Sequence, residues 1–456
     1  MTGPPSNAPL HPSLHASLTH RTVLAIAIAV PVMLSNVSTP LIGVVDTAIV
    51  GHYPNPLYIG AVAVGSLIFT FVFWGFGFLR MGTTGLTAQA LGAGDDAELA
   101  AGLGRALLIA ASAGLCLIVL QWPIREIAFR LLGASPEVER LARGYFDVRI
   151  RAAPATLANY ALLGWFIGLG RTDIGLALQL ILNLTNMVLD VTFVWGLGWD
   201  VRGVAFGTTL AEYVAAVSGV AIGVWHLRRI GGRWTLGRIL APARLKRVFF
   251  VNGDIMIRSL ALMTVFVWFT SQGARQGDAI LAGNSILMQF IASCAFFLDG
   301  LAFAAEALVG RAVGAAQRAG LKAAARMTTF WAAGIAVLLA VVLASFGPLF
   351  IDGLTVDISV RAAARAYLPW AAAAPLLGVW AYQLDGIFIG ATRTADMRNA
   401  MLASLAVFLG AWWLLLPMGN TGLWAAFYVH YLARTVSLLY YYPALVRSVP
   451  AAAVGV

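Results

Sequence analysis

The chain has 456 residues, 60% of them hydrophobic and only 11% charged, and its mean hydropathy is +0.83. A soluble globular domain carries about twice that charged fraction, so this composition speaks for a chain that lives in a bilayer. The net charge of +10 does not indicate nucleic-acid binding, because the arginines fall in short segments between apolar runs, where positive charge sets membrane orientation.

Residues 1–22 form a polar, proline-containing tail with no apolar core or cleavage pattern, so no removable signal peptide is expected. Twelve apolar runs follow, at 23–50, 57–79, 104–122, 145–169, 174–198, 203–227, 248–272, 279–303, 324–346, 366–390, 397–418 and 422–443. Each is long enough to cross a bilayer as a helix. The expected organisation is an N-lobe over 23–227, a basic linker over 228–247, a C-lobe over 248–443 and a tail over 444–456. The linker holds seven Lys and Arg from Arg228 to Arg247, and the segment after the eighth span adds Arg311, Arg318, Lys322 and Arg326. Both lie on the side of the two termini, which places the termini in the cytoplasm. The segment after the third span, with Arg125, Arg130, Arg140 and Arg143, dissents. Cys116 and Cys294 both fall in spans, so neither a disulfide framework nor a metal site is expected.

The chain repeats itself. "GWFIGLGRT" at Gly164 and "GIFIGATRT" at Gly386 share six of nine positions at an offset of 222 residues. "LGAGD" at Leu91 and "VGAAQ" at Val313 keep that offset, and "RGVAFGTTLAEY" at Arg202 matches "TGLWAAFYVHYL" at an offset of 219. Six spans return the chain to its starting side, so the halves run parallel and are related by a pseudo-twofold axis along the membrane normal. The expected fold is an all-α integral membrane protein, twelve transmembrane helices in two six-helix lobes. A cleft between or within such lobes is transporter architecture.

Charged residues within the spans are few. Asp46 is the sole charge between Val23 and Gly51, and an ionised Asp near the bilayer centre costs at least about 2.5–3.5 kcal/mol. Its repeat equivalent is Trp268, so an architectural role common to both halves does not explain it. In span five, Asn186 and Asp190 stand four residues apart on one helical face, with Asn183 a turn earlier. Span six adds Thr208 and Thr209. With Asp46 these groups offer oxygens and few cations, a set that suits a proton or Na⁺. The plainer reading is hydrogen bonding between helices. Elsewhere Asp254 and Arg258 are spaced for an ion pair on one helix. Asp299, Glu306 and Asp385 are secondary polar candidates, read as helix packing, gating or a second polar site. His430 reads as a packed polar group and His52 as a residue of the membrane surface.

These segments resemble the multidrug and toxic compound extrusion (MATE) family, and more closely its DinF branch. The resemblance runs from about residue 20 to 445 and is carried by "PVMLSNVSTPLIGVVDTAIVGH", "FLRMGTTGLTAQALGAGD", "NLTNMVLDVTFVWGLGWDVRGVAFGT", "NGDIMIRSLAL" and "FFLDGLAFAAEALVGRAVGA". It implies a monomeric, multi-pass protein of the bacterial inner membrane, not an enzyme, needing no cofactor. The implied function is export of cationic or amphipathic compounds in exchange for H⁺ or Na⁺. It also implies an N-lobe ion site of Asp46, Asp190, Asn186 and Thr208, joined by Tyr145 and Asn159, with the first helix bending at Pro31. The NorM branch carries acidic residues in helices seven and ten, where this chain has Leu262 and Gly378, which shifts the expected ion site to the N-lobe. Two other readings stay open, Na⁺ coupling at the same site and a lipid-linked oligosaccharide flippase. A membrane-bound transferase would need a large polar loop or an intramembrane His/Asp motif.

Overall fold

A computed structural model describes residues 18–51 and 57–450; the tail residues 1–17 and 451–456, and 52–56 with His52, lie outside the described part. Sixteen α-helices, and no strands among the described residues, make up the fold. They are α1 (Leu18–Gly51), α2 (Leu57–Trp74), α3 (Phe78–Gly92), α4 (Asp96–Val119), α5 (Gln121–Leu132), α6 (Pro136–Arg149), α7 (Ala153–Gly168) and α8 (Thr172–Asp190), then α9 (Val201–Arg229), α10 (Leu236–Ile239) and α11 (Pro242–Ala274). The rest are α12 (Asp278–Gly314), α13 (Arg318–Leu354), α14 (Ile358–Gly390), α15 (Thr394–Leu414) and α16 (Gly419–Ser448).

Apart from the four-residue α10, the described helices fall into twelve rods. Short breaks join α2 to α3, α4 to α5 and α6 to α7, and α8 runs on through a wider π-type turn, Val191–Gly196. Among the described residues, nine helical stretches are long and apolar enough to cross a membrane. Several rods outrun their hydropathic windows. The second continues to Gly92, the third starts at Asp96, and the ninth spans Arg318–Leu354.

Helix ends keep the repeat. Gly92, Asp96, Leu132, Pro136, Gly168 and Thr172 bound N-lobe helices, and the residues 222 positions later bound their C-lobe equivalents. The turns agree as well. Gly94 (φ 67°) and Gly170 (φ 69°) occupy the left-handed region, and so do their equivalents Ala316 (φ 55°) and Thr392 (φ 52°). The backbone of each turn is thus held in common even where the residue that best tolerates it is present in one half only.

The lobes meet at several places, two of which bear on the site. On the side of the linker, Gln89 Nε2 donates to Gly390 O (2.9 Å) and to Thr392 Oγ1 (3.0 Å). Its repeat equivalent, Arg311, donates to Leu169 O. Gly92 and Gly314 let these backbones approach, since a Cβ on either would overlap the opposite lobe's main chain. The lobes are therefore closed on this side. The second feature is α1 itself. Its first half packs on the C-lobe, with Asn36 Nδ2 donating to Phe296 O (3.2 Å) and Ile28 and Ala29 sharing a core with Leu298 and Leu301. Its second half is tied to the N-lobe, because Asn183 Nδ2 donates to Ser38 O and Trp195 Nε1 to Ile49 O, both at 3.2 Å.

Candidate ion-coupling and substrate chambers

Asp190 is the last α-helical residue before the π-type turn of the fifth rod, a local widening that often accompanies functional positions. One turn earlier Asn186 lies on the same face. Its Nδ2 donates to Asp190 Oδ2 (2.9 Å) and to Thr208 Oγ1 on α9 (3.2 Å). Gly207 makes room for this, since a Cβ there would overlap Asp190 Oδ1. Asp46 on α1 completes the group, its carboxyl within hydrogen-bonding reach of Asp190. All four side chains are buried, Asp46 at 5% exposure and Asp190 at 0%. Among the described residues no Lys or Arg touches either carboxyl.

Tyr145 and Asn159 line the same N-lobe chamber of about 450 Å³ as Asp46 and Thr208. The Tyr145 ring lies against the bare backbone of Gly65, and its hydroxyl is 3.3 Å from Ser66 Oγ. Asn159 is engaged elsewhere, donating to Glu212 Oε2 (2.7 Å) and Glu212 O (3.0 Å). Glu212 and its partner Arg149 (3.2 Å) are chamber residues that the sequence reading passed over. The test that singled out Asp46, a charge inside an apolar span, would have found both. Arg149 also stands over the rings of Phe69 and Phe73 at 5.6 and 5.4 Å. Thr209 bonds its own helix at Ala205 O. Pro31 lies in the part of α1 that packs on the C-lobe, about 22 Å along the helix from Asp46 at 1.5 Å per residue.

A second chamber of about 500 Å³ opens in the C-lobe and shares Trp74, Tyr160 and Leu163 with the first. Asp299, Glu306 and Asp385 all line it. Glu306 takes Arg80 of the N-lobe (3.1 Å), whose guanidinium stands 3.8 Å over Phe303. Asp385 lies between Arg258 and Arg434. The expected Asp254–Arg258 pair is not formed. Asp254 instead pairs with Arg398 (2.6 Å) and accepts from Thr394 (3.1 Å), leaving Arg258 to Asp385. An i,i+4 pair is worth only about 0.2–0.5 kcal/mol, and buried partners on neighbouring helices win. Leu262, aligned with an acidic position of the NorM branch, lines this chamber as an apolar residue. His430 is buried against Phe408, Phe427 and Tyr431. Both cysteines are free thiols.

Comparison with known proteins agrees with this architecture. The family model described as MatE matches residues 31–192 and 255–412. DNA damage-inducible protein F of Escherichia coli (strain K12) is 40% identical over 413 residues, 90% of this chain and 90% of that protein. A probable multidrug resistance protein NorM of Rhizobium meliloti (strain 1021) is 27% identical over 448 residues, 93% of this chain and 94% of that protein. A solved MATE protein in a bent conformation has a TM-score of 0.85 at 19% identity, covering 95% of this chain and 99% of that one. The chain belongs to the MatE family and is a multi-pass membrane transporter rather than an enzyme.

Proposed function

We propose that this transporter exports cationic or amphipathic compounds in exchange for protons carried by the Asp46–Asp190 pair. The observation that carries this reading is that two buried carboxyl groups lie side by side with no cation in contact. Such a pair is stable in a low-dielectric site when it shares a proton, and it titrates as a unit. Arg149 acts on Asp46 only from a distance, being held by Glu212. Asn186 turns its NH₂, not its oxygen, toward Asp190 and Thr208. A hydrogen-bond donor aimed at the would-be ligands favours a proton over Na⁺, which takes oxygens alone. The flippase reading needs free arginines for a diphosphate, and Arg80, Arg258 and Arg434 are each taken up by a carboxylate.

The linker's positive charge supports a cytoplasmic linker side and cytoplasmic termini, which makes the state described here, closed on that side, the outward-facing one. A proton arriving from outside neutralises the pair. The bonds around Asn186 and Thr208 rearrange, and the second half of α1 shifts with them. The shift is taken up by bending near Pro31, where the helix lacks a backbone hydrogen bond, and requires the Asn36 bond to Phe296 O beyond that point to release. The N-lobe chamber contracts, the wall of Trp74, Tyr160 and Leu163 that it shares with the neighbouring chamber moves with it, and the substrate leaves outward. Protons moving inward release about 1.36 kcal/mol per pH unit and about 2.3 kcal/mol per 100 mV. For a monovalent cation exchanged one for one, the voltage cancels and each pH unit supports about a tenfold gradient.

The test is ethidium export from vesicles, wild type against Asp46→Asn, under an imposed pH gradient and then an imposed Na⁺ gradient. Export driven by the pH gradient, and lost in a folded Asp46→Asn, is expected. Export driven by Na⁺ alone would reassign the ion, and normal export by Asp46→Asn would overturn the N-lobe mechanism.

A further inference from the structure

The C-lobe chamber contains a charge that the structure leaves uncommitted. Six acidic and arginine side chains line it, Arg80, Arg258, Arg434, Asp299, Glu306 and Asp385, with His430 beside them. Glu306 and Asp385 are both in contact with guanidinium groups, and all three arginines are used in doing so. Asp299 makes no hydrogen bond and no ion pair among the described residues. Arg80 and Arg258 reach it only through space, and Glu306 and Asp385 oppose them there. A carboxylate kept for packing would be buried and paired as its two neighbours are, whereas Asp299 is partly exposed and faces the chamber. The wall beside it is aromatic, formed by Phe266, Phe303, Phe427, Tyr382 and Tyr431. Aromatic faces attract cations, and a volume of about 500 Å³ is that of a site for a drug-sized ligand.

We infer that this chamber is the binding site for an aromatic organic cation, with Asp299 as its counter-ion. The inference rests on the cation-export reading and adds to it a division of labour. The proton goes to the N-lobe pair and the substrate cation to a different carboxylate in the other lobe, so the two do not compete for one group. Coupling then passes through the wall common to both chambers, Trp74, Tyr160 and Leu163, and through α1, which is fixed to both lobes.

Equilibrium binding of ethidium to the purified full-length protein in detergent, read by fluorescence polarisation, tests this. Asp299→Asn should weaken ethidium binding at least tenfold, as expected when one partner of a desolvated ion pair is removed, and Asp299→Glu should restore most of it. Leu262→Trp leaves every charge in place and fills the chamber, so it too should weaken binding at least tenfold, which keeps the test decisive if Asp299→Asn does not fold. Fluorescein, an anion of similar size, should not bind. Wild-type affinity in folded Asp299→Asn, wild-type affinity in Leu262→Trp, or preference for fluorescein would each overturn the C-lobe site while leaving cation export standing. Failure of the wild-type protein to bind ethidium at all would instead remove the cation-export reading on which the site depends.

Discussion

Gly207→Ala puts the ion-site geometry to a sharp test, because it changes no charge and no hydrogen-bonding group. The added methyl would overlap Asp190 Oδ1 and come within 3.2 Å of Asp190 Cγ and 3.3 Å of Asp190 N. The last of these is backbone, so relief must come from swinging the carboxyl away. That releases the 2.9 Å bond from Asn186 and moves Asp190 off Asp46. A hydrogen bond to a charged group is worth about 1.5–3 kcal/mol, so the competent arrangement becomes about 10- to 100-fold rarer at 1.36 kcal/mol per decade. The measurement is the initial rate of pH-driven ethidium export from proteoliposomes, with monodispersity checked by size-exclusion chromatography. Gly334→Ala, where a Cβ meets nothing within 4 Å, is the control and should export as wild type. A monodisperse Gly207→Ala that exports at the wild-type rate would refute the assignment of Asp190 to the coupling site.

The equivalent turns of the two halves allow a reciprocal exchange. Gly94→Ala places a side chain at φ 67° in open space and should cost about 1 kcal/mol, whereas Ala316→Gly relieves φ 55° and should return a similar amount; thermal melting in detergent should move in opposite directions. On the face opposite the linker, Arg143 holds the Glu126 carboxyl down at about 2 against an ordinary 4.5. A depressed pKa contributes stability above the unfolded value, so this contribution should be complete above pH 4.5 and fade as pH falls toward 2. Glu126→Gln should accordingly flatten the melting temperature's dependence on pH over that interval, and an unchanged slope would show that the pair does not stabilise the fold.

Hydropathy makes the rods legible because a bilayer demands about 20 apolar residues per crossing, but it hides where a rod continues past a charge. Arg80 ends the apolar window of the second span, yet the helix runs on to Gly92 and the guanidinium turns inward to Glu306. The break before it, at Gly75–Gly77, is likewise invisible to a window average. Asp46, Asn186, Asp190 and Thr208 could be found in the sequence because intramembrane polar groups are rare, and two of them share a helical face. That Asn159 serves Glu212 could not, since the partner lies on another helix 53 residues away. The Asp254–Arg258 spacing misled for the same reason: sequence spacing reports only neighbours on one helix, and in a packed bundle the stronger partners come from others.

The two halves share a backbone and divide the polar chemistry between them. At the repeat offset, Asp46 corresponds to Trp268 and Asp190 to Trp412, and those two indoles pack against each other with centroids 5.0 Å apart. Asn186 corresponds to Phe408 and Thr208 to Phe427. The place of the proposed proton site is thus filled in the C-lobe by rings. The converse also holds. Asp299 corresponds to Gly77, Asp385 to Leu163 and Arg434 to Ala215, so the N-lobe has no carboxylate where the C-lobe chamber has its own. Each set occurs once: Asp46 and Thr208 line the N-lobe chamber, with Asn186 and Asp190 behind them, and Asp299 and Asp385 line the other. On the proposed reading, one lobe changes its charge with the proton and the other holds the substrate cation, while α1 ties the two together. A symmetric pair of lobes would load and release both ligands alike. Exchange requires that the lobes differ, and the residues that differ include Asp46, Thr208, Asp299 and Asp385, which line the chambers.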